Sequence, residues 1–280
     1  MADDIMMTDV KLNYVSIAEA RGMSGLRLVL GAYPIPGPWR EACKGLFHVK
    51  GIPHVPVVTA SAGRSDLEFG MADADSELKA WSGQSSAPVA IWNDERPRSS
   101  WVDQLYLAER LNPEPALIPP DFDTRVRMMG LCQEICGEDG FAWNKRLAII
   151  HATLPTLAPG DPAKVFWQYV GEKYGYSPDA GRRAPGRMAE ILGALDRQLA
   201  VQQAAGNRYF MGPTLTALDI YWATFCALLA PLPPEQCPMA TSFRDIYSNH
   251  DEAVQAALSP ALLAHRDFIY QTHLELPIVF

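Results

Sequence analysis

Four prolines, at positions 113, 115, 119 and 120 within "NPEPALIPPD", divide this chain into two kinds of hydrophobic pattern. Proline fixes φ and has no N–H to donate, so a cluster of this density can neither continue a helix nor enter a central strand. It predicts a connection between domains. Before it, short branched runs alternate with helical spacings; after it, every periodic segment has the 3.6-residue repeat of a helix. A chain of 280 residues is long enough for two such bodies.

In the first half, "LRLVLG" from Leu26 reads as a buried strand, and Pro38 suits the first turn of a helix that continues through Leu46 and Phe47 until Gly51. "HVPVVTA" from His54 predicts a second strand, with Pro56 marking an edge or irregular start. "DSELKAW" predicts a helix with Asp75 or Ser76 as cap, ending near Gly83. "APVAIWN" follows as a third strand, "DERPRSS" as a turn-rich link, and "SSWVDQLYLAERL" as a helix to Leu111. Beyond the prolines the expected helices cover roughly 122–137, 140–154, 162–174, 184–205, 216–230 and 259–273. Thr216 and Asp219 have the spacing of a capping box, with Leu215 and Ile220 as its hydrophobic staple, and the apolar run that follows predicts a central, enclosed helix. The expected division is an extension at 1–25, an α/β domain at 26–111, a linker at 112–121 and an all-helical domain at 122–280.

Charge and composition exclude several classes. A formal charge of -8, from 24 basic and 32 acidic residues with no basic run, opposes a nucleic-acid partner. The acidic start "MADDIMMTDVK" lacks the pattern of a secretory signal, and no segment has the apolar length of a membrane span, so no membrane partner and a cytoplasmic setting are expected. Five cysteines, an odd number, fit reduced thiols. Cys132 and Cys136 can meet on one helix face, but buried small apolar residues explain them better. The six histidines have no metal-ligand spacing, no glycine-rich phosphate loop occurs, and no metal is expected.

Pro88 opening a strand, Ser99 and Ser100 opening the next helix, and the segments "KGI" at 50–52, "APV" at 87–89, "YLAERL" at 106–111 and "YFMGPTLTALDIY" at 209–221 together resemble the glutathione transferase superfamily. The resemblance runs from about residue 26 to residue 230. It implies a thioredoxin-like N-terminal domain that holds glutathione as co-substrate, an all-helical C-terminal domain that receives a small apolar electrophile, and a homodimer. It implies a cis bond at Ala87–Pro88, turning the Ala87 backbone toward the cysteinyl main chain of glutathione; X-Pro is where a cis bond is least costly. Ser100 matches the serine that receives the γ-glutamyl carboxylate at a helix start. Ser99 stands where an acid is typical, leaving Glu95 or Asp103 to supply the charge for the ammonium. Helix capping is the plain alternative for both serines.

The resemblance also implies a Tyr, Ser or Cys near the end of the first strand to activate the thiol. In "GAYPIPGPWREACKG", residues 31–45, the helix start carries Trp39 and Arg40 and no hydroxyl or thiol, and Tyr33 alone offers a hydroxyl. Lowering a thiol pKa from about 8.5 to about 6.5 takes roughly 2.7 kcal/mol. A helix N-terminus supplies about 0.3 to 1 kcal/mol, up to about 2 when partly buried. One hydrogen bond to the charge adds about 1.5 to 3 kcal/mol. The expectation is therefore backbone N–H groups near Trp39 and Arg40 together with Tyr33 or Arg40. Turn filling by Tyr33, interface packing by Trp39 and a solvated Arg40 are the structural alternatives. Met128, Met129 and Cys132 are candidates for the second-substrate pocket, with core packing as their alternative. A noncatalytic glutathione-binding or protein-interaction module is the competing function. A disulfide reductase is disfavoured, because no cysteine stands at the helix start.

Overall fold

The computed structural model describes residues 12–30, 36–58, 76–239, 241–248 and 251–279. The backbone contacts separate two compact units, one of Met1–Pro115, Pro231–Asp245 and Tyr270–Phe280, the other of Ala116–Ala230 and Ile246–Ile269.

In the first unit, helix α1 (Ile17–Arg21) precedes strand β1 (Leu26–Val29), helix α2 (Pro38–Val49), strand β2 (His54–Val57), helix α3 (Ser76–Ser82), strand β3 (Val89–Trp92) and helix α4 (Trp101–Leu111). From β1 onward this is the order expected from the sequence; helix α1, in the expected extension, was not foreseen. The sheet order is β2-β1-β3, with β1 parallel to β2 and antiparallel to β3. Val29, Val57, Val89 and Ile91 form one apolar face with Leu78 of α3 and Ile17 and Ala20 of α1. Strand alternation turns Leu28 and Ala90 to the opposite face. There α2 and α4 are tied at their C-terminal ends: Lys50 Nζ meets Glu109 Oε1 at 2.5 Å, and Asn112 Nδ2 donates to the Lys50 carbonyl at 2.7 Å. Gly51, at φ +62°, makes the left-handed exit from α2.

Two segments that sequence periodicity assigns elsewhere belong to this unit. The N-terminal extension adds a rung, because Val15 N–H donates to the Pro56 carbonyl and Val58 N–H to the Val15 carbonyl, both at 3.0 Å. Pro56 therefore does not lie at an open edge. The C-terminal stretch lies along α2, where Lys44 Nζ donates to the Val279 carbonyl and His48 Nδ1 is 3.7 Å from Glu275 Oε1. Ile278 N–H in turn donates to the Gln236 carbonyl at 2.7 Å. Apart from the His48–Glu275 approach, these contacts use backbone carbonyls, which carry no sequence signature.

The second unit contains helices α5 (Phe122–Cys136), α6 (Phe141–Thr153), α7 (Pro162–Lys173), α8 (Pro178–Ala204) and α9 (Ala217–Phe225), with a 3-10 turn at Cys226–Leu228. Short helices α10 (Thr241–Tyr247), most of which falls in the first unit, and α11 (Glu252–Ala257) follow along the chain, then the longer α12 (Pro260–His273), whose last residues fall in the first unit as well. The expected start of α8 near 184 was late. Ser177 caps it by accepting from Ala180 N–H at 3.1 Å, Pro178 occupies the first turn, and the helix continues through Pro185. An internal proline costs about 3 kcal/mol in an isolated helix. Enclosure of Ala184, Met188, Ile191, Leu192 and Leu195 supplies the compensation.

Every residue of α9 is buried. Its capping box forms as the sequence predicts, and Asp219 does more than cap: Oδ2 accepts from Thr216 N–H and Oγ1 at 2.8 Å, while Oδ1 accepts from Phe210 N–H at 2.9 Å and lies 2.9 Å from His265 Nε2. Trp222 Nε1 donates to the Leu262 carbonyl at 3.0 Å, fastening α12 to the same helix. Asp219→Ala leaves four buried partners without their acceptor and is expected to cost at least about 3 kcal/mol, read as a lower denaturant midpoint for the helical unit.

All five cysteines are buried and reduced. Burial pushes Cys226 and Cys237 up to about 12 and raises Cys43, Cys132 and Cys136 as well. A native sample treated with a disulfide reagent at mildly alkaline pH should release almost no colour, with all five thiols reacting once the chain is denatured.

Candidate functional site

The sheet register assembles the site. Val29 pairs with Val89 and Ala90 bridges Arg98, both antiparallel. Continuing those registers sets Leu30 opposite Pro88 and Pro88 opposite Ser100, so the three lie in one row at one end of the sheet. Helix α2 follows β1 from this end and α4 begins at it; two helix N-termini therefore converge where Pro88 opens β3. Gln104, buried in α4, locks the row: its Nε2 donates to the Pro88 carbonyl at 3.2 Å and to the Arg98 carbonyl at 3.3 Å.

The Ala87–Pro88 bond is cis. Pro88 is buried and Ala87 half-buried. Among the described residues, no hydrogen bond is made by the backbone of Ala87. Ser100 caps α4, its Oγ accepting from Asp103 N–H at 3.1 Å. Ser99, just outside the cap, is exposed. The capping alternative for Ser100 is thus part of its geometry, and it leaves the remaining first-turn N–H groups directed out of the helix.

At the other helix head no side chain caps α2 at Gly37. Trp39 is half-buried. Arg40 is not the solvated side chain allowed as an alternative: it is 7% exposed, and its Nη1 donates to the Leu30 carbonyl at 3.3 Å. A Cβ at Gly37 would lie 2.8 Å from Arg40 Nε, so glycine is what permits the guanidinium to fold back over the helix start. Tyr33 falls outside the described residues. Tyr14, supplied by the extension and missed in the sequence, lies on the α2 side of the sheet, since its neighbour Val15 packs into the opposite face. Burial pushes its phenol up to about 12, against the nearby Arg40 charge and with that of Glu41, so it remains an O–H donor at neutral pH.

Charges around the α4 head are paired. Glu95 Oε2 accepts from Arg98 at 2.5 Å and Arg110 at 2.6 Å, and these bonds, Arg110 first, hold its carboxyl below the usual range. Asp103 Oδ1 is 3.3 Å from Arg96 Nη2, a contact that lowers its carboxyl, with the Ser100 hydroxyl adding to the effect.

In the helical unit Met128 and Cys132 are fully enclosed in the core and Met129 is half-buried. The packing alternative therefore describes Met128 and Cys132. Among the described residues no group of three or more His, Cys, Asp or Glu could hold a metal ion, and no helix is long and apolar enough to cross a membrane.

No family model matches the sequence, and no curated protein does. Solved structures do match. A glutathione S-transferase from Methylobacillus flagellatus with glutathione bound is 13% identical with a TM-score of 0.57, over 88% of this chain and 95% of that one. A glutathione S-transferase from Methylobacterium radiotolerans, in complex with glutathione sulfonate, is 16% identical with a TM-score of 0.56, over 89% and 92%. The β-etherase LigF from a Sphingobium strain is 15% identical with a TM-score of 0.53, over 83% and 98%. At these identities the likeness establishes architecture and not reaction. The chain carries the fold of the glutathione transferase superfamily, a thioredoxin-like unit and an all-helical unit.

Proposed function

We propose that the protein binds glutathione at the sheet end formed by Leu30, Pro88 and Ser100 and activates its thiol for attack on a small apolar electrophile. The observation that carries this reading is the shared row: a strand opening whose Ala87 backbone makes no hydrogen bond among the described residues stands between two helix N-termini. A peptide thiol has matching parts in the same order. Its cysteinyl backbone pairs with Ala87, its γ-glutamyl carboxylate accepts from the α4 head at Ser100, and its sulfur faces the α2 head. Ser99 contributes through its backbone and hydroxyl.

Activation rests on Arg40. A buried guanidinium about 4 Å from a thiolate contributes about 4 kcal/mol at an effective dielectric near 20, more than the roughly 2.7 kcal/mol that a two-unit pKa shift needs. Dipoles near Trp39 add to it. Tyr33 is the second candidate donor. The electrophile is assigned to the helical unit, with half-buried Met129 as the candidate contact and Met128 and Cys132 in the core of that unit. The working form is a cytoplasmic homodimer. The competing reading, a noncatalytic module on the same fold, predicts binding without turnover.

Calorimetry with glutathione and turnover of an aryl halide test the proposal together. Heat with turnover supports it, heat without turnover favours the noncatalytic module, and no heat removes both. Ser100→Ala is expected to weaken glutathione binding about tenfold through loss of the hydroxyl and of the helix cap. Arg40→Gln removes the cation and should raise the pKa of the bound thiol by up to about three units, the equivalent of about 4 kcal/mol, followed by thiolate absorbance across pH. An unchanged pKa in Arg40→Gln with a raised one in Tyr33→Phe would transfer activation to the tyrosine.

A further inference from the structure

We infer that Lys145 is a nucleophilic amine of the helical unit, condensing with a small aldehyde or keto acid whose carboxylate pairs with Arg146. This chemistry uses no glutathione. Three lysines are buried among the described residues, and two of them have acidic partners: Lys44 Nζ lies 3.1 Å from Glu41 Oε2, and Lys50 Nζ 2.5 Å from Glu109 Oε1. Lys145, on α6 and 6% exposed, differs: its Nζ makes neither a hydrogen bond nor an ion pair among the described residues. A buried ammonium without a partner is costly, and an amine so placed gives up its proton more readily. Burial, with the Arg146 charge adding and that of Asp251 opposing, pulls the amine down to about 8. On the order of a tenth is then free base at neutral pH, where an exposed lysine near 10.4 has under about a thousandth. The free base is the nucleophile, and desolvation beside a second cation is one of the ways a lysine is made to attack carbonyl carbon.

Arg146 supplies the recognition. Its guanidinium lies 5.7 Å over the Tyr247 ring, with the Tyr247 hydroxyl 3.5 Å from Nη2 and the Tyr174 phenol as a further partner. Both partners are phenols, so this cation has no carboxylate of its own among the described residues. Asp251, whose charge reaches Lys145, commits Oδ1 to the Ala253 and Val254 N–H groups at 3.0 and 3.2 Å. The cluster thus sets two cations against one acid, and a ligand carboxylate restores the balance. In the reaction the Lys145 nitrogen attacks the carbonyl carbon, a C=N bond forms, and the carbonyl oxygen leaves as water with the two amine protons.

Glyoxylate tests this on the full chain, with acetaldehyde as the analogue that lacks the carboxylate. Sodium cyanoborohydride reduces the imine to a stable secondary amine, which peptide mass spectrometry locates. Exposed Lys79, read in the same sample, corrects for the reactivity of each reagent. At neutral pH glyoxylate should label Lys145 at least about tenfold faster than Lys79, and the preference of Lys145 for glyoxylate over acetaldehyde, relative to Lys79, should be about tenfold. Acetate, which offers the carboxylate alone, should slow glyoxylate at Lys145 and not at Lys79. Arg146→Gln should abolish the preference while acetaldehyde still labels Lys145, and Lys145→Arg should remove the fast label. Labelling of Lys145 no faster than that of Lys79 in the unmodified protein, indifference of Lys145 to acetate, or an undiminished preference in Arg146→Gln would overturn the proposal.

Discussion

The pairing of β1 with β3 governs the rest of the first unit. Because side chains and hydrogen-bonding groups alternate along a strand, a slip of one residue would exchange the two faces of the sheet and break the alignment of Leu30, Pro88 and Ser100. Val29, Val89 and Ile91 resist that slip from the α3 side, where they are enclosed with Leu78. Gln104 resists it from the other side by holding two carbonyls that belong to different chain segments. Apolar burial chooses the face, and one buried amide chooses the position along it.

The two helix heads that meet this row are unlike. At α2 the surroundings are dry: Arg40, Glu41 and Lys44 are all nearly inaccessible, and Lys44 Nζ lies 3.1 Å from Glu41 Oε2. Charge acts strongly in such a place, since water does not screen it. At α4 the residues are wet, and the ion pairs of Glu95 and Asp103 are open to exchange with solvent to different degrees. On the proposed reading this separates the tasks. Reactive sulfur occupies the end where a field is effective, and the zwitterion occupies the end where recognition is reversible.

Much of this architecture was legible in the residues. The proline cluster, the strand and helix order up to Leu111 and the Thr216 capping box all rest on local rules, and local rules are what a sequence displays. The cis bond at Pro88 came instead from resemblance, since spacing alone does not distinguish cis from trans. What escaped depends on distant backbone: the Val15 rung, the Lys44 contact to Val279 and the burial of Arg40 under Gly37. Arg40 is the instructive case. A charged residue in the first turn of a helix reads as solvated, and only the carbonyl of Leu30 and the missing side chain at Gly37 make an interior position tolerable. The early start of α8 escaped for another reason: the helix runs through Pro185, where packing of the residues on either side outweighs the lost hydrogen bond.

The strand segment contributed by Val15 has an effect beyond the site. A three-stranded sheet ending on β2 would present unpaired carbonyls and amides to any extended peptide, and such borders template intermolecular stacking. Here the chain's own leading segment covers part of that border, and Pro56 withholds the N–H that a newcomer would seek. Self-association through this side of the molecule is thereby suppressed by the fold itself.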